Sequence, residues 1–203
     1  MSLTDKHSAY AYDPMPPLIV GLGHRRRVGK DTLARILRLL LTRRGLHVEI
    51  EAFADPLRHV ANTLYGWAGM MDWRYYDDNP ELREAVLDKL GKSPRQIWID
   101  LGTKAVRDHV YDRTWVELLL NTPRYADVLL VPDVRFLNEV EAIRQRGGMC
   151  VLVTRDSVDV SSDVADEALR DWTGWDQRVR NNGTITELED QAKKLADILA
   201  GTQ

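Results

Sequence analysis

Cysteine is nearly absent. Cys150 is the single one among 203 residues, which excludes an intrachain disulfide and any zinc site built from several cysteines. Such usage suits a reducing compartment. No apolar run approaches the roughly 18 residues that cross a bilayer. The N-terminus has neither the charged start nor the apolar stretch of a secretory signal, so the chain is expected to stay in the cytoplasm where it is made. Charge of one sign is not in excess either: a net charge of −3 offers no global field toward nucleic acid or a membrane. Internal repeats are missing, and nothing marks a separate second domain. What is present is the balance of an ordinary soluble globular protein, 44% apolar and 29% charged, at a length that fits one α/β domain.

Residues 1–17 are polar and then proline-rich, without hydrophobic period, and read as a loose, flexible tail ahead of a single domain spanning 18–203. Leu18-Ile19-Val20 open a short apolar strand that runs into Gly21. From Lys30 onward, Leu33, Ile36, Leu37, Leu40 and Leu41 recur at helical spacing until Gly45. Leu46, Val48, Ile50 and Ala52 alternate with polar residues, as in a strand buried on one face, which Phe53-Ala54-Asp55-Pro56 ends. Residues 56–123 show no convincing strand and predict several helices, broken at Gly66, Gly69, Asn79-Pro80, Gly91 and Pro94. A third strand is predicted at Asp127–Val131, a helix at Phe136–Arg146 and a fourth strand at Met149–Val153. The stretch 156–176 is polar and acidic and reads as a mobile segment. A short strand at Gln177–Arg180 follows, then a last helix opened by the capping-box pair Thr184 and Glu187. Alternating strands and helices predict a parallel five-stranded sheet covered on both sides, a three-layer α/β sandwich with a helical insertion after the second strand.

The strongest motif lies between the first strand and its helix: Gly21-Leu22-Gly23-His24-Arg25-Arg26-Arg27-Val28-Gly29-Lys30-Asp31-Thr32. Holding a triphosphate needs backbone N–H groups bent around anionic oxygens, a helix N-terminus aimed at them, and a lysine within reach. Gly23 through Thr32 can supply these. The loop departs from the usual phosphate-loop pattern, with five residues instead of four between Gly23 and Gly29. Asp31 stands where Ser or Thr usually meets Mg²⁺, and Thr32 comes one position later, so metal contact through Asp31, through Thr32 or through water stays open. A dinucleotide fingerprint is the rival reading, but Arg26 stands where its third glycine belongs. The sequence does not separate the roles of Arg25, Arg26 and Arg27.

GHRRRVGKDTLA is followed in order by FADPLR (53–58), SPRQIWIDLGTKAVRD (93–108), PDVRFLNEVEAI (132–143) and NNGT (181–184). Together these segments make the chain resemble the deoxynucleoside monophosphate kinases of bacteriophages from about residue 18 to 200. The resemblance implies the fold of P-loop nucleoside monophosphate kinases, with an acceptor-binding helical region at about 56–123 and a lid at about 156–176. It implies transfer of the γ-phosphoryl group of ATP to a deoxynucleoside monophosphate with Mg²⁺, acceptance of several bases, a homodimer, and the host cytoplasm as location if the gene is a phage's.

Phosphoryl transfer asks for positioning and charge neutralisation rather than a covalent catalyst. Lys30 is the first candidate for stabilising the transferring group, because a cation at a helix start is unfavourable unless an anion is bound. Asp55, just past the second strand, would orient the acceptor; as a plain N-cap it would begin a helix with Pro56. Arg58, Arg95 and Arg107 could grip the acceptor phosphate by bidentate bonds, Gln96 could read a base edge, and Trp115, ahead of Trp98, could stack on a base. Asp133, at the end of the third strand, could hold Mg²⁺ directly or through water, and Arg135 would reach phosphates. Asn138 and Glu139 look structural, fixing the start of the following helix. In the polar stretch, Asp163, Asp166, Glu167 and Arg170 are either closing contacts or a solvated charge run. The alternatives are a P-loop kinase for another small acceptor, of dephospho-coenzyme A or sugar-acid type, and a nucleotide-gated protein touching nucleic acid, which the acidic balance disfavours.

Overall fold

The computed structural model describes residues 15–23, 25–158 and 164–201. The tail predicted at 1–17 lies almost wholly outside the described residues. Five strands form one parallel sheet: β1 (Leu18–Gly23), β2 (Val48–Ile50), β3 (Val128–Val134), β4 (Met149–Thr154) and β5 (Gln177–Arg180), in the order β2-β3-β1-β4-β5. Helix α1 (Lys30–Thr42) follows β1, and α2 (Ala54–Tyr65), α3 (Trp73–Asp78), α4 (Pro94–Ile99) and α5 (Thr114–Leu120) lie between β2 and β3. Helix α6 (Leu137–Gln145) connects β3 to β4, the short α7 (Val164–Glu167) precedes β5, and α8 (Ile185–Ala200) closes the chain. Among the described residues no helix is long and apolar enough to cross a membrane.

The period-two rule of strands decides which helix covers which face. Val20 and Leu22 of β1, Val128 and Leu130 of β3, and Val151 and Val153 of β4 point to one side, where Leu33, Leu37 and Leu41 of α1 and Leu188, Leu195 and Leu199 of α8 bury them. Ile19, Leu129, Val131 and Cys150 point to the other, against Val140 and Ile143 of α6 and Val116 and Leu119 of α5. Gly21 leaves room for that second layer, since a Cβ there would stand 2.6 Å from the Ile143 side chain. The adjacent strands β1 and β3 thus send their helices to opposite faces. The crevice this opens at their carboxyl ends is where parallel sheets bind ligands.

The third strand runs three residues beyond its predicted end at Val131. Pro132 and Asp133 belong to β3, and the register against β1 slips between Gly21 and Gly23, where one extra residue bulges out. Proline without its N–H fits at such an irregularity. The second strand is shorter than the predicted alternation, three residues instead of seven. The capping box at Thr184 and Glu187 is present, with the Thr184 hydroxyl accepting from Glu187 N and the Glu187 carboxylate accepting from Thr184 N.

The helical insertion carries a small core of its own, around Ala61, Met70, Tyr76 and Ile97. Ser93 caps α4 in a box with Gln96, and Pro94 takes the first helical position, where its missing N–H costs nothing. Asp100–Arg107 then continue as a π-helix, a wide turn that is rare and often found at functional sites.

The α1–sheet–α8 layer is expected to carry much of the stability. Leu37→Ala removes a fully buried side chain from its centre and is expected to lower unfolding free energy by about 2–5 kcal/mol in urea titration.

Candidate active site

The segment between β1 and α1 bends sharply. Arg27 holds the left-handed conformation at φ 62° and Gly29 at φ 97°. Glycine tolerates that conformation freely, and at Gly29 it is needed twice over, because a Cβ would stand 2.3 Å from the Asn181 amide nitrogen. That same amide donates to the Val28 carbonyl at 2.9 Å, so the loop after β5 braces the bend from behind. Asn182 and Asp156 tie the loops after β5 and β4 to each other.

Lys30 opens α1 and is 5% exposed, with its Nζ donating to the Arg25 carbonyl. Burial, and then the nearby Arg135 charge, push its pKa down to about 8, against the partial support of Asp31, Asp133 and Asp166. A shift of that size corresponds to about 3 kcal/mol of strain on the ammonium form, relieved when an anion arrives. Asp31 and Thr32 lie exposed at the start of the helix beside it.

Asp166, in α7, is not part of a solvated charge run. It is 2% exposed, and its carboxylate accepts from the Arg26 backbone N–H at 3.1 Å and pairs with Arg26 Nε at 3.2 Å and Arg135 Nη1 at 3.3 Å. An internal anion thus sits among the cations of the bend. Asp163 lies outside the described residues.

Beside this cluster, at the carboxyl end of β3, opens a cavity of about 380 Å³ whose walls come mainly from the helical insertion. Five arginines line it: Arg58, Arg83, Arg95, Arg107 and Arg135. Most are held in place. Arg58 pairs with Asp55 at 3.3 Å and lies over the ring of Trp98, 5.4 Å from its centroid. Arg107 pairs with Glu139 at 3.1 Å and stacks on Phe136 at 4.9 Å. Arg83 bonds the Tyr76 carbonyl and pairs with Asp77, whereas Arg95 makes only a loose contact with Glu84 at 3.5 Å, both partners well exposed. Arg83 belongs to no motif and falls in a weakly periodic stretch, so the sequence offered no signal for it.

Other candidates occupy positions that the sequence did not foresee. Asp133 turns both carboxylate oxygens onto the first N–H groups of α2, Oδ1 to Phe53 N at 2.8 Å and Oδ2 to Ala54 N at 3.0 Å. It is half-buried at the cavity wall, and burial raises its pKa against those two hydrogen bonds. Asp55 is not the N-cap of α2, because the helix begins at Ala54 with Phe53 in the cap position. Its carboxylate accepts from Ala52 N at 2.8 Å, and burial lifts its pKa to about 6. Gln96 spends its side chain on the Ser93 cap and lines a different cavity with Asp100 and Lys104. Trp115 is 4% exposed and donates its indole N–H to the Gly102 carbonyl at 3.0 Å, a core contact with one edge on the arginine-lined cavity. Trp98 presents its ring to the same cavity. Glu139, which reads as structural from sequence, lines the cavity too, and burial raises its pKa to about 7.

Among the described residues no group of three or more His, Cys, Asp or Glu side chains could hold a metal ion by itself. Mg²⁺ does not need one, since it keeps several waters and takes one or two carboxylates together with phosphate oxygens. A half-buried Asp133 whose negative charge is under-compensated fits that role, and so do the exposed oxygens of Asp31 and Thr32.

Two outcomes follow from these geometries. The native state holds protons on Asp55 and Glu139 more tightly than the unfolded chain, so their stabilising contribution is present at low pH and lost as pH rises through about 6 and about 7. Replacing both by the amides, Asp55→Asn with Glu139→Gln, is expected to flatten the dependence of urea stability on pH between about 4 and 7. Asp166→Asn removes a competing negative charge while keeping the shape, and is expected to tighten binding of inorganic tripolyphosphate by about tenfold in calorimetry. Unchanged or weaker binding would show that Asp166 does not compete for the anion.

No protein-family model matches the chain. A protein of Acanthamoeba polyphaga mimivirus named "Putative deoxynucleotide monophosphate kinase" is 27% identical over 198 residues, an alignment that covers 89% of this chain and 96% of that protein.

Proposed function

We propose that this chain is an ATP-dependent deoxynucleoside monophosphate kinase built as a P-loop domain, with the bend at Gly23–Thr32 holding the donor and the arginine-lined cavity holding the acceptor. One observation carries the reading: Arg135 belongs to both places at once. It lines the five-arginine cavity, and it reaches the carboxylate that Arg26 of the bend also holds. A kinase for a phosphate acceptor has to bring two strongly anionic groups together, and a shared guanidinium at the border of two cationic sites suits that task. The sheet supports the reading through the crevice at the carboxyl ends of β1 and β3, and so does the similarity, over 89% of this chain, to a protein named "Putative deoxynucleotide monophosphate kinase".

In this reading an oxygen of the acceptor phosphate attacks the γ-phosphorus of ATP. The bond from that phosphorus to the bridging oxygen breaks, and ADP leaves with the electron pair. Lys30 neutralises charge growing on the transferring group, and the N–H groups at the start of α1 hold the neighbouring phosphates. Arg135 faces the transferring group from the cavity side, while Arg58 and Arg107 hold the acceptor phosphate. Arg95, weakly engaged, is free to swing onto it. Mg²⁺, held by Asp133 directly or through water and by Asp31 or Thr32, would supply charge neutralisation between the β- and γ-phosphates. The aromatic rings of Trp98 and Phe136 offer faces for a base, which fits acceptance of several bases, since every base has a π-face. In this reading α7 and its neighbours act as the lid, which must give up Asp166 when a polyphosphate takes its place.

The reading is tested by ADP release over a panel of acceptors: the deoxynucleoside monophosphates, dephospho-coenzyme A and a sugar acid. Turnover is expected with deoxynucleoside monophosphates, and Lys30→Met is expected to reduce it by about 10²–10³ with the fold retained by circular dichroism. Turnover of another acceptor alone would refute the assignment.

A further inference from the structure

Glu139 is a buried carboxylate that makes more contacts than a helix cap requires. It sits in the first turn of α6 and is 2% exposed. Its Oε2 accepts from Arg135 N at 2.7 Å and Phe136 N at 3.1 Å, which settles the N–H groups at the turn between β3 and α6. Its Oε1 is turned the other way and accepts from Arg107 Nη2 at 3.1 Å. Arg107 is the last residue of the π-helix, thirty-two positions away along the chain, and its guanidinium also lies on the ring of Phe136.

Capping alone does not call for this residue. A neutral side-chain oxygen satisfies backbone N–H groups as well, and burying a carboxylate costs several kcal/mol unless its charge is used. The charge is used on Arg107. One carboxylate therefore sets where the turn carrying Arg135 stands relative to the π-helix carrying Arg107. Without it, Arg107 would have to be immobilised by the ligand itself, at the cost of side-chain entropy and against repulsion from the neighbouring guanidinium groups.

We propose that Glu139 is a positioning residue that holds Arg107 at a fixed distance and angle from Arg135, so that the acceptor's phosphate is presented to the donor's terminal phosphoryl group. This rests on the kinase reading above, and it adds a residue at the cavity wall that acts through Arg107. The linkage is specific in its chemistry. Glu139→Gln keeps an oxygen for the two backbone N–H groups but turns an NH₂ group toward Arg107, donor against donor, so the turn survives and the guanidinium is released.

The test measures KM for a deoxynucleoside monophosphate and for ATP separately, in wild type, Glu139→Gln, Arg107→Gln and the double variant, with thermal melts of each. Glu139→Gln is expected to raise the acceptor KM by about tenfold or more while leaving the KM for ATP within about twofold. In the double variant the second substitution is expected to add little, because both act through one contact. An acceptor KM that stays at the wild-type value, or two effects that simply multiply, would overturn the proposal and leave Glu139 as a cap. Should Glu139→Gln fail to fold, Arg107→Gln decides alone: its side chain is 19% exposed at the cavity wall, and an unchanged acceptor KM there overturns the proposal as well. Calorimetric titration of the monophosphate separates this from the kinase reading. Binding that wild type shows and Glu139→Gln loses, without turnover in either, would sink the reading and keep the positioning role; no binding to wild type would sink both.

Discussion

The structure turns on the difficulty of keeping positive charge in a crevice before a negative ligand is there. Lys30 is buried with its pKa driven down, and Arg135 is one of the causes. Left alone, this cluster would repel itself and lose hydration. Asp166 answers the problem from inside the chain by lying between Arg26 and Arg135. The same carboxylate that makes the unliganded site tolerable makes it occupied. In the proposed reading a polyanion entering the bend exchanges with Asp166, so part of its binding energy would go into moving α7, and a segment that moves only for the correct charge would exclude water until then.

The second constraint is mechanical. A helical insertion of about 68 residues (56–123) has to be seated on the sheet accurately enough for its arginines to meet the strand ends. Two carboxylates near the carboxyl end of β3, one buried and one half-buried, do that. Asp133 seizes the N-terminus of α2, and Glu139 seizes Arg107 at the end of the π-helix. Both lie within one short stretch of chain, the turn from β3 into α6 that also carries Arg135. The insertion is therefore referenced at its start and at the end of its π-helix to the turn that carries the residue on which the proposed chemistry depends. Asp133 can serve as anchor and as metal-facing oxygen together, because each carboxylate oxygen has a second lone pair beyond the one given to α2.

Much of this was readable in advance where the signal is local. The apolar run Leu18-Ile19-Val20, the helical spacing of Leu33, Leu37 and Leu41, and the box at Thr184 and Glu187 are short-range patterns, and the strand and helices they predict are present. What escaped depends on partners far along the chain. The predicted third strand stops at Val131, yet a bulge against β1 lets β3 continue to Val134. Asp55 before Pro56 looks like an N-cap, but Asp133, eighty residues on from Phe53, has taken that duty and freed Asp55 to hold Arg58. Asp166 looks solvated because its neighbours are polar, and nothing in those neighbours tells of Arg26. Arg83 enters the cavity only through the fold of the insertion's own small core.

The same distinction bears on the rival readings of the bend. A dinucleotide fold needs a third glycine so that helix and strand can approach closely. Here Arg26 occupies that place, and its backbone N–H already points at a carboxylate instead of closing against a strand. A nucleic-acid surface would spread its cations along an open face, where they read a repeating backbone. In this chain the arginines converge on a cavity of about 380 Å³, several of them clamped by acids or stacked on rings. Convergent, pre-oriented guanidinium groups lose little entropy on meeting a compact anion and gain little from an extended one. The charge arrangement therefore favours a small phosphorylated molecule over a polymer.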